Sequence, residues 1–476
     1  MFNITHHKFD SGVLLALCST MIVAVLGHHT GLFWDNILFV SRMSRPLLEN
    51  GLLSWGTIPL DSDPGHPPFV ATYLVAVWSI FGRSLAVSHW ALYPFVFIFY
   101  YELWHVIKHY FTNRNSAFAA YLLVFADPTV FSQLMYIGPE TCVLCFASMA
   151  MRGILSGDIV RKTIGLSLLG ICSMRGMMLC AGLFLWDMIC KVYIERQSAR
   201  YLLTWRNMAP YVIGSLPAVS FVLWRLLCKG WLIDNPIHPW GQAWDYNTLA
   251  EFLCNILRNI VVFGQRITDF GRMVPILVCF VLLVYCKKTK CLSNQDNNLI
   301  IFCLTSCSVV AVASLLIHNA MGHNYFTLLY IGIECLLVSL LSHIRWQKIP
   351  YIVSLFALLL GNLIVYPDRF SQGWASSLAS LPYWTLRDNV LSYMDANHIQ
   401  PEQTLCYFPF GRCADDVDLN DDIREYASSW EKATYVIASN INNLDDGTLD
   451  RIQSCCTPIY RVEKSRVHIT LYRITP

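Results

Sequence analysis

Residues 60–70 read LDSDPGHPPFV: two aspartates, a histidine, a glycine and three prolines between apolar stretches. The chain around them is of another kind. Its 476 residues are 55% hydrophobic and only 14% charged, with a mean hydropathy of +0.45, more apolar surface than one soluble core can bury. Pro67 and Pro68 fix φ and lack amide donors, and Gly65 permits a turn most residues cannot make. A rigid turn is predicted, holding Asp63 and His66 beside the apolar segment PPFVATYLVAVWSIFG (67–82). Whether that segment crosses a membrane decides the fold.

Apolar segments approaching the roughly 20 residues of a bilayer crossing centre on residues 12–30, 86–107, 116–133, 139–153, 163–174, 176–192, 208–228, 273–286, 299–317, 325–343 and 349–366. The junction CSMRGM (172–177) leaves the fifth and sixth as either a tight hairpin or a broken helix. If segment 67–82 lies along the membrane, Lys108/Arg114, Arg152/Arg161/Lys162, Lys191/Arg196/Arg200/Arg206, Lys287/Lys288/Lys290 and Arg345/Lys348 share one side with Lys8. If it crosses, every later cluster flips. The first alternative is adopted: amino terminus cytoplasmic, with residues 31–85, 229–272 and the carboxyl terminus on the outer face. SGVLLALCSTMIVAVLGHHTG (11–31) has no small-x-small cleavage site and is read as the first spanning helix.

The expected architecture is therefore an all-α polytopic membrane bundle of about 11 transmembrane helices (1–366), a linker (367–379) and a small extracytoplasmic α/β domain (380–476). In that domain LPYWTLRDNVLSYMDANHI (381–399) has helical spacing, QTLCYFPF, ATYVIASN and VHITLYRI are strand-like, and NNLDDGTLDRI starts a helix. A net charge of +2 gives no basic field for nucleic acid. Most of the 18 cysteines lie in apolar runs, where they act as small hydrophobes. Cys406, Cys413, Cys455 and Cys456 form an even set in the outer domain, and Cys406–Cys413 is the preferred disulfide.

Asp35 follows the first helix directly, and Phe33 and Trp34 are expected to desolvate it partly, which suits a general base. Asn36–Asn50 patterns as an interfacial amphipathic helix carrying Arg42 and Arg45. Glu140 opens a later helix in YIGPETCVLCF (136–146). Arg42, Arg45, Arg83, Arg175, Arg258, Arg266 and Arg272 all fall outward, and one or two of them could clamp a phosphate bidentately. Arg175 is the most expensive to keep, about 2.5 to 3.5 kcal/mol at a helix centre, which favours a function for it. His66, His318 and His323 have no spacing that specifies a metal site. The acidic run CADDVDLNDDIRE (413–425) lacks the glycine of a calcium loop and is read as a solvated loop leading into a helix. No cofactor is assigned; a divalent metal is left open, although no spacing indicates one.

The acid after the first helix, the interfacial helix, the GHPP knot (65–68) followed by FGRSLAVSHW (81–90), and the acid in YIGPETCVLCF resemble, over about the first 180 residues, the GT-C glycosyltransferases that use polyprenyl-phosphate sugars. Protein mannosyltransferases and lipid A aminoarabinose transferases belong to that group. GHNYFTLLY (322–330) looks like the family's outer-face Arg-Tyr motif, with His323 and Asn324 where arginine is usual. Two positions depart further: Asn36 stands where a second acid is usual, and Glu140 where Asp is more common.

The resemblance implies a membrane glycosyltransferase moving a hexosyl or pentosyl group from a polyprenyl-phosphate donor to a hydroxyl of a lipid, glycan or protein acceptor on the outer face. Asp35 and Glu140 would be catalytic. Asp63, His66, Arg42, Arg45, Arg83, Arg175, His323 and Tyr325 would bind substrate, and segment 67–82 would wall the prenyl chain among membrane lipids. The short outer domain favours a bacterial inner membrane, with that domain periplasmic. A flippase or transporter for a lipid-linked glycan is the alternative, although paired, inverted, Gly/Pro-broken helices are not visible. A non-catalytic glycan-binding relative is another.

Overall fold

Asp10 accepts a hydrogen bond from the Gly12 amide and so starts α1 (Ser11–Gly27), the first helix of the computed structural model, which describes residues 10–232, 235, 246–318 and 321–475. A π-helical run (Ile37–Arg42) continues into α2 (Met43–Asn50), and after the knot come α3 (Phe69–Phe81), α4 (Leu85–Tyr110), α5 (Arg114–Ala126) and α6 (Pro128–Met135). Next are α7 (Pro139–Ser156), α8 (Ile159–Cys172), α9 (Met174–Tyr193), the single turn α10 (Ala199–Leu202) and α11 (Trp205–Lys229). The bundle closes with α12 (Leu249–Thr268), α13 (Met273–Thr289), α14 (Asn294–Leu315), α15 (Thr327–Leu341) and α16 (Lys348–Gly361). Each apolar segment read from the sequence is helical, with 116–133 split between α5 and α6 at a 66° bend.

Among the described residues four helical segments, Met174–Tyr193, Trp205–Lys229, Asn294–Leu315 and His323–Leu341, are long and apolar enough to cross a bilayer, and two bent pairs raise the count to six. The chain is an integral membrane protein, and the figure of eleven spans is not reached on length and composition. At 13 residues α3 is about 20 Å long, well short of a hydrocarbon core of about 30 Å. The CSMRGM junction is a tight hairpin: the Cys180 thiol donates to the Leu166 carbonyl at 3.4 Å, and Gly176 packs on the Leu169 carbonyl. Ser173, at its apex, caps α9 by accepting from the Gly176 amide. The starts of α7 and α9 therefore lie at the same end of the bundle.

The 229–272 region, expected as a loop, contains the 20-residue α12, which meets α13 at 93°. Asn255, Arg258 and Asn259 on α12 donate to the carbonyls of Ser314, Leu315, Ile317 and His318, and so satisfy groups that the end of α14 would leave unpaired. At the α12–α13 corner Arg272 grips Asp127 with two bonds, 2.6 and 3.1 Å, and its guanidinium lies 3.9 Å from the centre of the Tyr330 ring. Asp127 also caps α6 through the Thr129 and Val130 amides. Residues 367–379 are not a slack linker either: Trp374 is buried, and Thr129, Ser132 and Gln133 of α6 donate to the carbonyls of Ala375 and Ser376.

The carboxyl-terminal domain comprises α17 (Pro382–Ala396), β1 (Thr404–Cys406), the turn α18 (Asp415–Asp418), β2 (Tyr435–Ser439), α19 (Asp446–Cys455), β3 (Cys456–Lys464) and β4 (Val467–Ile474). Its sheet runs β1-β2-β4-β3, parallel between β1 and β2 and antiparallel elsewhere. Val467, Ile469 and Leu471 alternate into the core, as expected for a strand with one buried face. The expected Cys406–Cys413 disulfide is not formed. Cys406 instead donates to the Gly411 carbonyl, and the Cys413 sulfur accepts from Arg45.

Asp127→Ala should lower stability by about 3 to 5 kcal/mol, because it strands a buried guanidinium. Chemical unfolding of the detergent-solubilised protein measures this.

Candidate active site

The turn that carries Asp35 is shaped by its neighbours. Phe33 is buried among the rings of Tyr136, Tyr383 and Trp384, while Trp34, at φ +50°, packs on Phe408. Asp35 is left exposed, contrary to the expectation that Phe33 and Trp34 would desolvate it, because both rings turn toward the carboxyl-terminal domain. Its carbonyl accepts from the Leu38 and Phe39 amides and so begins the π-helical run. Asn36 lies against Gly138 so closely that a Cβ there would sit 2.1 Å from its Oδ1. This contact sets the Asp35 turn beside the start of α7, two residues before Glu140.

Glu140 is only 4% exposed, and its carboxylate is paired with Arg175 from the first turn of α9. Asn324 provides Glu140 with a hydrogen bond, and Asp35 lies within electrostatic reach of both Glu140 and Tyr325. The Arg175 guanidinium stands over the Tyr325 ring, 4.5 Å from its centre. Arg175 is 7% exposed, and its Nε and Nη1 have no hydrogen-bond partner among the described residues. His66 joins from the knot, its Nδ1 accepting from the Met174 amide at 3.4 Å. Burial, with Arg175 and Arg225 nearby, pushes its pKa down to about 3, so at neutral pH it is uncharged with its proton on Nε2. A small pocket beside it is lined by Phe39, Met43, Val70, Pro139 and Cys172.

An exposed carboxylate, a buried carboxylate and a buried guanidinium with donors to spare thus share one end of the bundle. No protein-family model and no curated protein matches the sequence. Two crystal structures of ArnT from Cupriavidus metallidurans match the structure. The apo form gives a TM-score of 0.53 at 12% identity and the form bound to undecaprenyl phosphate 0.51 at 10%, each over 97% of this chain and 98% of that one. The chain has the GT-C fold.

Within this GT-C frame the other residues singled out from the sequence hold the scaffold. Asp63 accepts from Arg225 at 2.9 Å and from the Gly65 amide at 3.0 Å, tying the knot to α11. Sequence reading passed over Arg225, whose guanidinium is buried 3.9 Å from the centre of the Trp231 ring. His323 faces Asp269 at 2.9 Å, leaving Asn324 and Tyr325 of its motif toward Glu140 and Arg175. Burial would raise the Asp269 carboxyl, but hydrogen bonds from His323 and Tyr366 hold it below the usual range.

Arg42, Arg45 and Arg83 pair with the carboxyl-terminal domain. Arg42 reaches Asp416 at 3.1 Å, Arg45 reaches Asp415 and Asp416 at 2.8 and 2.9 Å, and Arg83 holds Asp415 at 2.6 and 2.9 Å. The acidic run is therefore not simply a solvated loop. The side chains of Asp415 and Asp416 are 4% and 1% exposed and face three guanidiniums. Burial alone would raise the Asp415 carboxyl, yet the Arg83 hydrogen bonds and the neighbouring charges keep it below the ordinary aspartate range.

Gly138→Ala should cost about 1 to 3 kcal/mol by overpacking against Asn36, and adding Asn36→Ala should recover most of it. Thermal unfolding of the single and double variants reads both effects.

Proposed function

We propose that this protein is a membrane glycosyltransferase that moves a sugar from a polyprenyl-phosphate donor to an acceptor hydroxyl. The observation that carries this reading is Arg175. A buried guanidinium with two unused donors is costly, about 1 to 3 kcal/mol for each unsatisfied group, and a phosphate would accept from both in the geometry arginine favours. Undecaprenyl phosphate bound to ArnT on the same fold supports a polyprenyl-linked donor here.

In this scheme the acceptor hydroxyl attacks the anomeric carbon, its proton passes to Asp35, and the bond from that carbon to the phosphate oxygen breaks. Polyprenyl phosphate leaves with its new charge facing Arg175. Glu140 aims the guanidinium, and with Asn324 it orients the sugar or acceptor. Neutral His66 offers an Nε2–H donor from the knot. The apolar α3 walls the prenyl chain. The acceptor is a lipid, glycan or protein, and the membrane a bacterial inner membrane with the carboxyl-terminal domain periplasmic.

Turnover is tested with a panel of undecaprenyl-phosphate pentoses and hexoses, following release of undecaprenyl phosphate. A general base contributes about 10²- to 10⁴-fold, so Asp35→Asn should lower kcat at least about 100-fold and leave undecaprenyl phosphate binding nearly unchanged. Arg175→Ala should weaken that binding, and Glu140→Gln should be milder than Asp35→Asn. A folded Asp35→Asn protein working at near wild-type rate would end the general-base reading.

Sidedness is tested separately. Tags after Pro476 and within residues 229–272 should be protected in inside-out vesicles while a tag near Lys288 is accessible. An external Lys288 tag would reverse the assignment.

A further inference from the structure

Asp35 is exposed while Phe33 and Asn36 on either side of it are buried, and the turn they form is held from two directions. One support is the Asn36–Gly138 contact from α7. The other comes from the carboxyl-terminal domain, which grips the segment on both sides of Asp35. Upstream, the Leu32 amide donates to the Val417 carbonyl at 2.9 Å, and Gly31 packs so tightly there that a Cβ would meet the same carbonyl at 2.9 Å and Trp384 at 2.8 Å. Downstream, the helix that the Asp35 carbonyl initiates carries Arg42 and Arg45, which bind Asp416 and Asp415. Residues 415–417 of the turn α18 therefore bracket Asp35.

The bracket is itself braced. The Arg412 amide donates to Asp416 at 2.9 Å and the Asp421 amide to Asp415 at 2.8 Å. Arg387 on α17 holds Asp418 with two bonds, 2.9 and 2.8 Å, and Arg83 at the start of α4 ties Asp415 back to the bundle. An ordinary tether between domains has no need to reach both flanks of one residue, one through a backbone hydrogen bond and the other through buried carboxylates.

We infer that Asp415, Asp416 and Val417 are positioning residues for Asp35, so that the carboxyl-terminal domain sets the reach of the base without touching the substrate. The inference rests on the reading of Asp35 as general base. Its energetic logic is that a misplacement of about 1 Å can cost about 100-fold in rate.

The test uses the full-length protein in detergent and the best donor of the undecaprenyl-phosphate sugar panel. Asp416→Asn and Gly31→Ala perturb the bracket by different means, one through charge and the other through a methyl group against Val417. Each should lower kcat by about 10- to 100-fold while KM for the donor and undecaprenyl phosphate binding change by less than about 2-fold. In an Asp35→Asn background Asp416→Asn should lower the residual rate by less than about 2-fold, because its effect runs through the missing base. A general loss of structure would multiply instead.

If Asp416→Asn does not fold, Gly31→Ala decides. Wild-type kcat in Gly31→Ala, or a full multiplicative effect in the Asp35→Asn background, overturns the positioning role. An active Asp35→Asn protein would instead remove the general-base reading, so the two failures are distinct.

Discussion

A charge inside an apolar helical bundle has to be paired, and the pair between Arg272 and Asp127 shows what that constraint builds. Arg272 is 2% exposed and Asp127 fully buried, and both guanidinium bonds are made. The pair joins the 93° corner before α13 to the 66° bend before α6, and the α6 side chains then hold residues 375–376. Where helices break within a membrane, their freed backbone groups need partners of their own. Asp127 answers that need for α6, and the α12 amides answer it for α14.

The same rule singles out one arginine by its incomplete application. Asp63 with Arg225, and Asp415 and Asp416 with three arginines, are charge groupings whose partners all come from the protein. Arg175 differs. Arg225 and Arg83 each leave Nε without a partner, whereas on Arg175 Glu140 occupies one end of the guanidinium, Tyr325 covers its face, and both Nε and Nη1 remain without a partner among the described residues. Distinguishing the two kinds of arginine required knowing where the carboxylates were, and composition could not supply that.

Much of the fold was legible because its signals are local. Apolar length marked the helices, the two prolines marked the start of α3, and alternation in VHITLYRI matched β4 residue for residue. Asp35, Glu140 and Tyr325 were singled out through their order along the chain and Arg175 through its cost in an apolar segment, and the structure brings them to one end of the bundle. What stayed hidden was non-local: Arg42 and Asp416 are 374 residues apart, and Arg83 and Asp415 332. An acidic run reads as solvated when its partners are that distant, and Arg225 passes unnoticed in an apolar helix until Asp63 is placed against it. The helix α12 was missed because a stripe of apolar residues interrupted by Asn255, Arg258 and Asn259 is too polar for a span.

That stripe has a mechanical consequence. Leu249, Leu253, Leu257, Ile260 and Val261 are exposed along α12, which turns by 93° into α13 and is locked by its amides to the end of α14. An exposed apolar stripe backed by polar groups on the other face is a pattern suited to the boundary between headgroups and acyl chains. Joined at its end to α13 and along its side to the end of α14, α12 ties those two helix ends together, so that neither can shift along its own axis without carrying the apolar stripe with it.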